Sequence, residues 1–271
     1  MAQKIYNNGS DGKILMSSAG KVIRQPYEFG NAFRNRMGLN NYIEITISIP
    51  SEFTLLNWFY NSIFSQDVSI YTPISNITDS INDNYSRSIW EYSSWYDNLK
   101  KNSRDVGNQI AVSNIKNKLH LSGQGLNNSG NYIFLSNQQY LTGTTTIIPT
   151  FPVAKVWVAA FRESNGITPS RYAKTEDMYS RVTIFNRFIS QSEYLYYYNN
   201  NMGSDFQTTN GLILDIRMNI AEILNTGDAD FVGVRDYSGN NHHGKIMNLP
   251  AGTLSEQLAY ANANLFVPFL N

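Results

Sequence analysis

Strand signals dominate the pattern of apolar and polar positions along this chain. Tyr42, Ile43, Ile45, Ile47 and Ile49 form a run dense in branched and aromatic residues, a Pro-Ser turn follows, and a second apolar run extends from Phe53 to Tyr60. The pattern predicts two strands and a turn. Further on, Val182 and Ile184 with the intervening Arg181, Thr183 and Phe185 predict another strand, after which Ser190 and Glu193, three positions apart, make a capping box that opens a short helix. Asn199 to Gly203 stops that helix. In 211–220, Leu212, Leu214, Ile216 and Met218 alternate with Ile213, Asp215, Arg217 and Asn219, the mark of a half-buried strand.

The remaining stretches are looser. Residues 13–23 carry two short apolar runs around Ser-Ser-Ala-Gly and predict a small hairpin, with Asn7 to Gly12 flexible before it. Such a hairpin needs a surface to pack on. Ile110, Val112 and Ile115, then Leu119 and Leu121, suggest a second hairpin with Asn-Lys-Asn near its tip, and GNYIFL at 130–135 and TTTIIPTF at 144–151 add strands. The final stretch, ANLFVPFLN, is apolar and would favour aggregation unless docked, so it reads as an interface element.

Composition narrows the functional classes. A chain of 271 residues can bury a sizeable core as one large β-domain with extensions. Basic and acidic residues balance at 21 each, and no basic block occurs, which argues against nucleic acid as a partner. The absence of Cys removes disulfides, thiolate catalysis and zinc sites of the Cys type, and leaves the redox compartment open. The first residues, MAQKIYNNGSDGK, have no apolar core of a secretory signal, and no run of about 18 apolar residues is present to span a bilayer. Asn supplies about one residue in eight, beside 18 Tyr and 14 Phe. That composition suits turns and wet recognition or subunit surfaces, and equally reflects an AT-rich coding sequence. No phosphate-binding Gly loop and no Gly-x-Ser-x-Gly elbow occurs, so nothing points to nucleotide use or acyl transfer. Asn-x-Ser/Thr triplets at Asn8, Asn76, Asn84 and Asn127 are expected by chance in so Asn-rich a chain.

Two stretches carry a family resemblance. GNAF, NNYIEI and FTLLNW within 30–58 resemble the opening strands of the laminin-G-like branch of the concanavalin A-like lectin and glucanase superfamily, and IFNRFISQSEYLYYYNN at 184–200 resembles its closing strand, corner and helix. VAKVWVAAF at 153–161 looks like that family's central strand. The resemblance implies an all-β, concanavalin A-like or laminin-G-like jelly-roll sandwich over residues 27–203, with an N-terminal hairpin arm at 1–26 and one short helix in the C-terminal half. A family motif of the form Asp-x-Ser-Gly-Asn-x-x-His-Gly, which normally precedes the opening strands, stands here at 236–244, after the closing helix. Residues 204–271 are therefore expected to be a permuted or exchanged strand segment with an apolar tail, folding on their own sandwich or on a neighbour's.

Several constellations bear on chemistry. Glucanases of the superfamily carry a Glu-x-Asp-x-x-Glu strand whose carboxylates act as nucleophile and acid. No such strand occurs here, and the expectation is a non-enzyme with no catalytic residue. His242 and His243, if on a strand, would point to opposite faces and could not readily share a metal ion. The alternative is a turn in which Asp236 accepts backbone hydrogen bonds and Gly239 supplies an unusual dihedral. No metal ligand set and no cofactor is assigned, although calcium is bound by loop oxygens in relatives of this fold. Trp90, Tyr92, Trp95 and Tyr96 are the best candidates for a sugar-stacking surface, and are also what a core or a subunit interface would use. Tyr194 and Tyr198, at i and i+4, are expected to pack the helix on the sandwich.

Short leaders similar to 1–26 occur on virion proteins of tailed phages of Bacteroidetes. The resulting expectation is a virion structural protein, a head fibre, decoration or tail-fibre component with a lectin-like domain. It would form a homo-oligomer, a trimer favoured, held to other virion proteins through residues 1–26 or the C-terminal tail, and bind host or mucosal glycans. The alternative is a carbohydrate-binding or adhesion module on a bacterial cell surface.

Overall fold

The computed structural model describes residues 5–7, 13–16, 22–24, 31–34, 40–48, 50, 52–61, 74–77, 88–92, 96–98, 100–101, 104–105, 110–111, 118–136, 138–144, 155–161, 171–172, 178–199 and 208–268. The first strands in chain order are β1 (Ile5–Asn7), β2 (Lys13–Met16), β3 (Val22–Arg24), β4 (Asn31–Arg34), β5 (Tyr42–Thr46), β6 (Phe53–Asn61), β7 (Ile74–Ile77) and β8 (Ser88–Tyr92). Next come β9 (Tyr96–Asn98), β10 (Lys100–Lys101), β11 (Arg104–Asp105), β12 (Ile110–Ala111), β13 (Lys118–Leu126), β14 (Asn131–Ser136), β15 (Gln139–Thr144) and β16 (Lys155–Val158). β17 (Ala160–Phe161), β18 (Arg171–Tyr172) and β19 (Met178–Phe185) lead to helix α1 (Gln191–Asn199). The chain continues through β20 (Leu212–Arg217), β21 (Glu222–Asn225), β22 (Asp230–Val234), β23 (Gly244–Met247), helix α2 (Leu254–Asn264) and β24 (Phe266–Pro268).

Two antiparallel sheets make an all-β sandwich. One has nine strands in the order β12-β9-β8-β7-β16-β5-β23-β22-β21, and the other has eight, β15-β14-β13-β6-β19-β4-β24 with β20 beside β19. The opening runs at 42–49 and 53–60 do form two strands joined by a turn, but the turn carries the chain from one sheet to the other: β5 lies in the first and β6 in the second. Period-two alternation then aims Ile43, Ile45 and Ile47 at Phe53, Leu55, Val182, Ile184, Leu214 and Ile216 in one core between the sheets.

The β6 run is buried on both faces, from Phe53 to Trp58, which is why it reads as continuous rather than alternating. Its second face, Leu56 and Trp58, packs with Leu121, Ile133, Leu135 and Phe185 beneath α1, whose Tyr194 and Tyr197 are buried there. The helix thus docks through an i, i+3 pair. Tyr198, expected at the contact, is only half-buried at the rim, because Tyr197 is the residue that stacks on Phe185, at 6.0 Å between centroids. Burial pushes the Tyr197 phenol up to about 12.

Three sequence expectations are corrected by the pairing. The stretch 110–121 is not a hairpin: β12 pairs with β9, while β13 pairs with β6 and β14, over registers such as Leu121↔Trp58 and Gly123↔Leu135. A nine-residue strand with two long neighbours outweighs a local turn signal. The apolar C-terminus is not an interface through Pro268: β24 pairs with β4, and Phe266, 6% exposed, meets the Phe33 ring edge-on at 5.8 Å. One short helix was expected and a second, α2, is present. It opens on a capping box in which Thr253 and Glu256 exchange backbone bonds, a signal legible as Thr-Leu-Ser-Glu.

The segment after residue 203 supplies strands to both sheets, and β23 lies against the opening strand β5 with Ile246 opposite Ile43. Gly244 is needed at that contact, since a Cβ would come within 2.6 Å of Ile43 Cγ2 and 2.9 Å of Val234 Cγ2. At the N-terminus β1, β2 and β3 form a three-stranded sheet separate from both large ones. The Ser-Ser-Ala-Gly stretch connects β2 and β3, and β1 adds a strand before it.

Candidate functional site

Of the aromatic cluster named by the sequence, Trp90 and Tyr92 belong to β8 and Tyr96 to β9, with Trp90 opposite Ile74, Tyr92 opposite Asp97 and Tyr96 opposite Ala111. This is the β12 end of the nine-stranded sheet. Their side chains and all of Trp95 lie outside the described residues, as do 145–151 of the TTTIIPTF stretch. Ser190 and Glu193 stand at the start of α1. The Glu193 N–H donates to Ser190 Oγ at 3.2 Å, and the Ser190 N–H donates to Glu193 Oε2 at 3.0 Å. Arg187 adds a two-pronged bond to the same carboxylate at 2.6 and 2.9 Å, which holds Glu193 below the usual carboxylate range.

Asp236 and Gly239 organise a more elaborate corner. After β22 the chain leaves the nine-stranded sheet, and Asp236 forms an isolated antiparallel bridge with Ile216 of β20, in the other sheet. The Asp236 carboxylate accepts from the backbone N–H of Asp215 (3.0 Å), Ser238 (2.9 Å) and His242 (3.0 Å) and from the Ser238 hydroxyl (2.8 Å). Gly239, at φ +90°, lets the loop reverse; a Cβ there would meet nothing within 4 Å, so the requirement is conformational rather than steric. Ser238 Oγ, its proton given to Asp236, lies 3.2 Å from the Ile213 carbonyl oxygen, and Asn240 Nδ2 lies 3.3 Å from the Leu212 and Ile213 carbonyls. The loop 236–243 thereby runs along β20 in place of a further strand and covers its edge.

His242 and His243 sit in this loop, not on a strand. The His243 Nδ1 accepts the Asp236 N–H at 3.1 Å, which requires the neutral ring, and burial lowers its pKa against the opposing pull of the Asp236 charge. Among the described residues no three His, Cys, Asp or Glu side chains are grouped to hold a metal ion.

Behind the loop lies a charge cluster that sequence reasoning missed. Arg181 binds both Asp215 oxygens, at 2.6 and 2.9 Å, with both side chains 1% exposed, and Arg217 Nε also donates to Asp215 Oδ2 at 3.0 Å. Thr183 Oγ1 reaches Asp215 at 3.5 Å, and the Arg181 guanidinium lies 5.9 Å from the Trp58 ring centre. The Arg217 guanidinium in turn lies 4.7 Å from the Tyr237 ring centre. Arg181, Asp215 and Arg217 alternate with apolar residues and so look like the wet half of two strands. In the β19–β20 register Asp215 stands opposite Thr183 and Arg217 opposite Arg181, so Arg181 meets Asp215 on the diagonal, an opposite-charge pair buried between adjacent strands.

Chemically, the corner offers rigidity. Asp215 and Asp236 are each committed to N–H donors, and the exposed members of the surface loop that carries Asp236 are Tyr237, Gly239, Asn240 and Asn241.

No family model matches the chain, and no curated protein matches it in sequence. Solved structures do match in fold. A protein of Bacteroides ovatus that carries the name of a carbohydrate-binding protein is similar at TM-score 0.54 and 10% identity, over 80% of this chain and 57% of its own. This chain therefore spans little more than half of that relative. A heptameric pentraxin from Limulus polyphemus matches at TM-score 0.48 and 10% identity, covering 75% of this chain and 94% of its own. The binding domain of a botulinum neurotoxin matches at TM-score 0.44 and 13% identity, covering 88% and 62%. The fold is a lectin-like jelly-roll sandwich.

Proposed function

We propose that this protein is a non-enzymatic structural protein of a virion, a head-fibre, decoration or tail-fibre component, whose sandwich binds host or mucosal glycans and which assembles as a homo-oligomer, a trimer favoured. The observation that carries the glycan reading is the two-sheet architecture itself, supported by the likeness to the Bacteroides ovatus protein and its name. The reading without catalysis is supported by the spent state of Asp215, Asp236 and Glu193, since glycosidase chemistry needs two carboxyl groups facing a cleft about 5–10 Å apart. The separate pairing of β1, β2 and β3 supports an anchoring arm at 1–26. Trp90, Tyr92, Trp95 and Tyr96 remain the first proposed sugar-stacking surface.

A carbohydrate-binding or adhesion module of a bacterial cell surface is the second reading, favoured by the same Bacteroides likeness. Deletion of residues 1–26 separates the two. In the virion reading the truncated protein keeps its melting temperature and is no longer incorporated into particles; normal incorporation contradicts an anchoring role. Light scattering gives a closed oligomer in the first reading and a monomer in the second. Trp95→Ala weakens glycan binding without lowering the melting temperature if that cluster is a ligand surface, whereas a lower melting temperature returns it to the core.

A further inference from the structure

Four large apolar side chains are well exposed among the described residues, Leu141, Ile220, Ile223 and Tyr237, and Tyr237, at 44%, is the aromatic one. Its position is unusually constrained for a surface loop. The Tyr237 N–H donates to the Asp215 carbonyl at 2.8 Å, the preceding residue carries the four-bond Asp236 carboxylate, and the ring is backed by the Arg217 guanidinium, itself held by Asp215. A ring fixed in this way presents its exposed area with little entropy left to lose on binding.

We propose that Tyr237 is the stacking platform of a glycan subsite separate from the 90–96 cluster, taking the apolar face of a neutral hexopyranose. The proposal rests on the glycan-binding reading above and adds the place and the ligand class. Neutrality follows from the local charge: Asp215 and Asp236 are matched by Arg181 and Arg217, and Arg217 is engaged with Asp215 and the ring, so no net charge is present to select an ionic sugar. The same loop carries the exposed Asn241 and the half-exposed His242. Their side chains make no hydrogen bond among the described residues and so are available to sugar hydroxyls; an amide supplies both a donor and an acceptor to a vicinal pair.

The test is binding of the full chain to an array of immobilised glucose-, galactose- and N-acetylglucosamine-terminated oligosaccharides beside sialylated ones. The expected result is binding to a neutral group, weakened about tenfold or more by Tyr237→Ala at unchanged melting temperature and kept by Tyr237→Trp. Tyr237→Trp also serves where the alanine variant is unstable: its added indole should change emission on titration with the bound oligosaccharide, in contrast to the parent chain. Unchanged binding by Tyr237→Ala, with no emission change in Tyr237→Trp, overturns the subsite and leaves the glycan reading standing. Binding confined to sialylated probes overturns the ligand class. An array on which the parent chain binds nothing overturns the glycan reading and the subsite with it.

Discussion

Asp236→Ala removes the acceptor on which the corner between the two sheets converges. At 5% exposure its carboxylate receives three backbone N–H groups and one hydroxyl. The Asp215 N–H lies in a residue 1% exposed and would be left without a partner, which costs about 2 kcal/mol. The Ser238 and His242 donors are nearer the surface, where water replaces part of the bond, and contribute about 0.5 kcal/mol each. Over the four donors the loss is about 3.5 kcal/mol, and the change also uncovers the β20 edge, because the carboxylate places Ser238 and Ser238 Oγ in turn holds Asn240. With a urea m-value of about 3 kcal/mol/M, the unfolding midpoint drops by about 1 M. Urea titration followed by tryptophan fluorescence measures this directly. Ser238→Ala, which removes only the hydroxyl, should lose less than half as much. A midpoint for Asp236→Ala within about 0.2 M of the parent would refute the account of the corner as an energetic tie.

Phe266→Ala should destabilise the isolated protein by about 3–5 kcal/mol, as for a buried aromatic in a core, read by urea unfolding; an unchanged midpoint with altered oligomer mass would return the tail to an interface role. Glu193→Gln should cost about 1–2 kcal/mol and flatten the acid limb of stability. The carboxyl is held below its usual range, mainly by Arg187, so its contribution is complete above the unfolded value near 4.3 and is lost as pH falls through the folded one. His243 acts in the same sense at higher pH. Its folded value lies below the unfolded value near 6.5, so stability is complete above that and falls as pH drops toward the folded value. His243→Gln should remove that part of the slope in melting temperature against pH, and an unchanged slope would contradict the neutral Nδ1 acceptor.

The sequence by itself determined the strands whose apolar residues are dense or alternating, β5, β6, β19 and β20, and the start of α1, because strand period and a capping box are local properties of the chain. It also marked Asp236 and Gly239 as a turn pair from residue chemistry alone. Partners were another matter. That β5 and β6 lie in different sheets, that β13 joins β6 rather than 110–111, and that β23 returns to β5 across some 200 residues are decided by the summed burial of two faces, which no local window contains. The same holds at the site. Asp215 looks like one more wet residue of an alternating strand until tertiary structure brings Arg181, Arg217 and the Asp236 loop around it. A charge is buried or solvated according to what folds over it, and here that cover comes from distant segments of the chain.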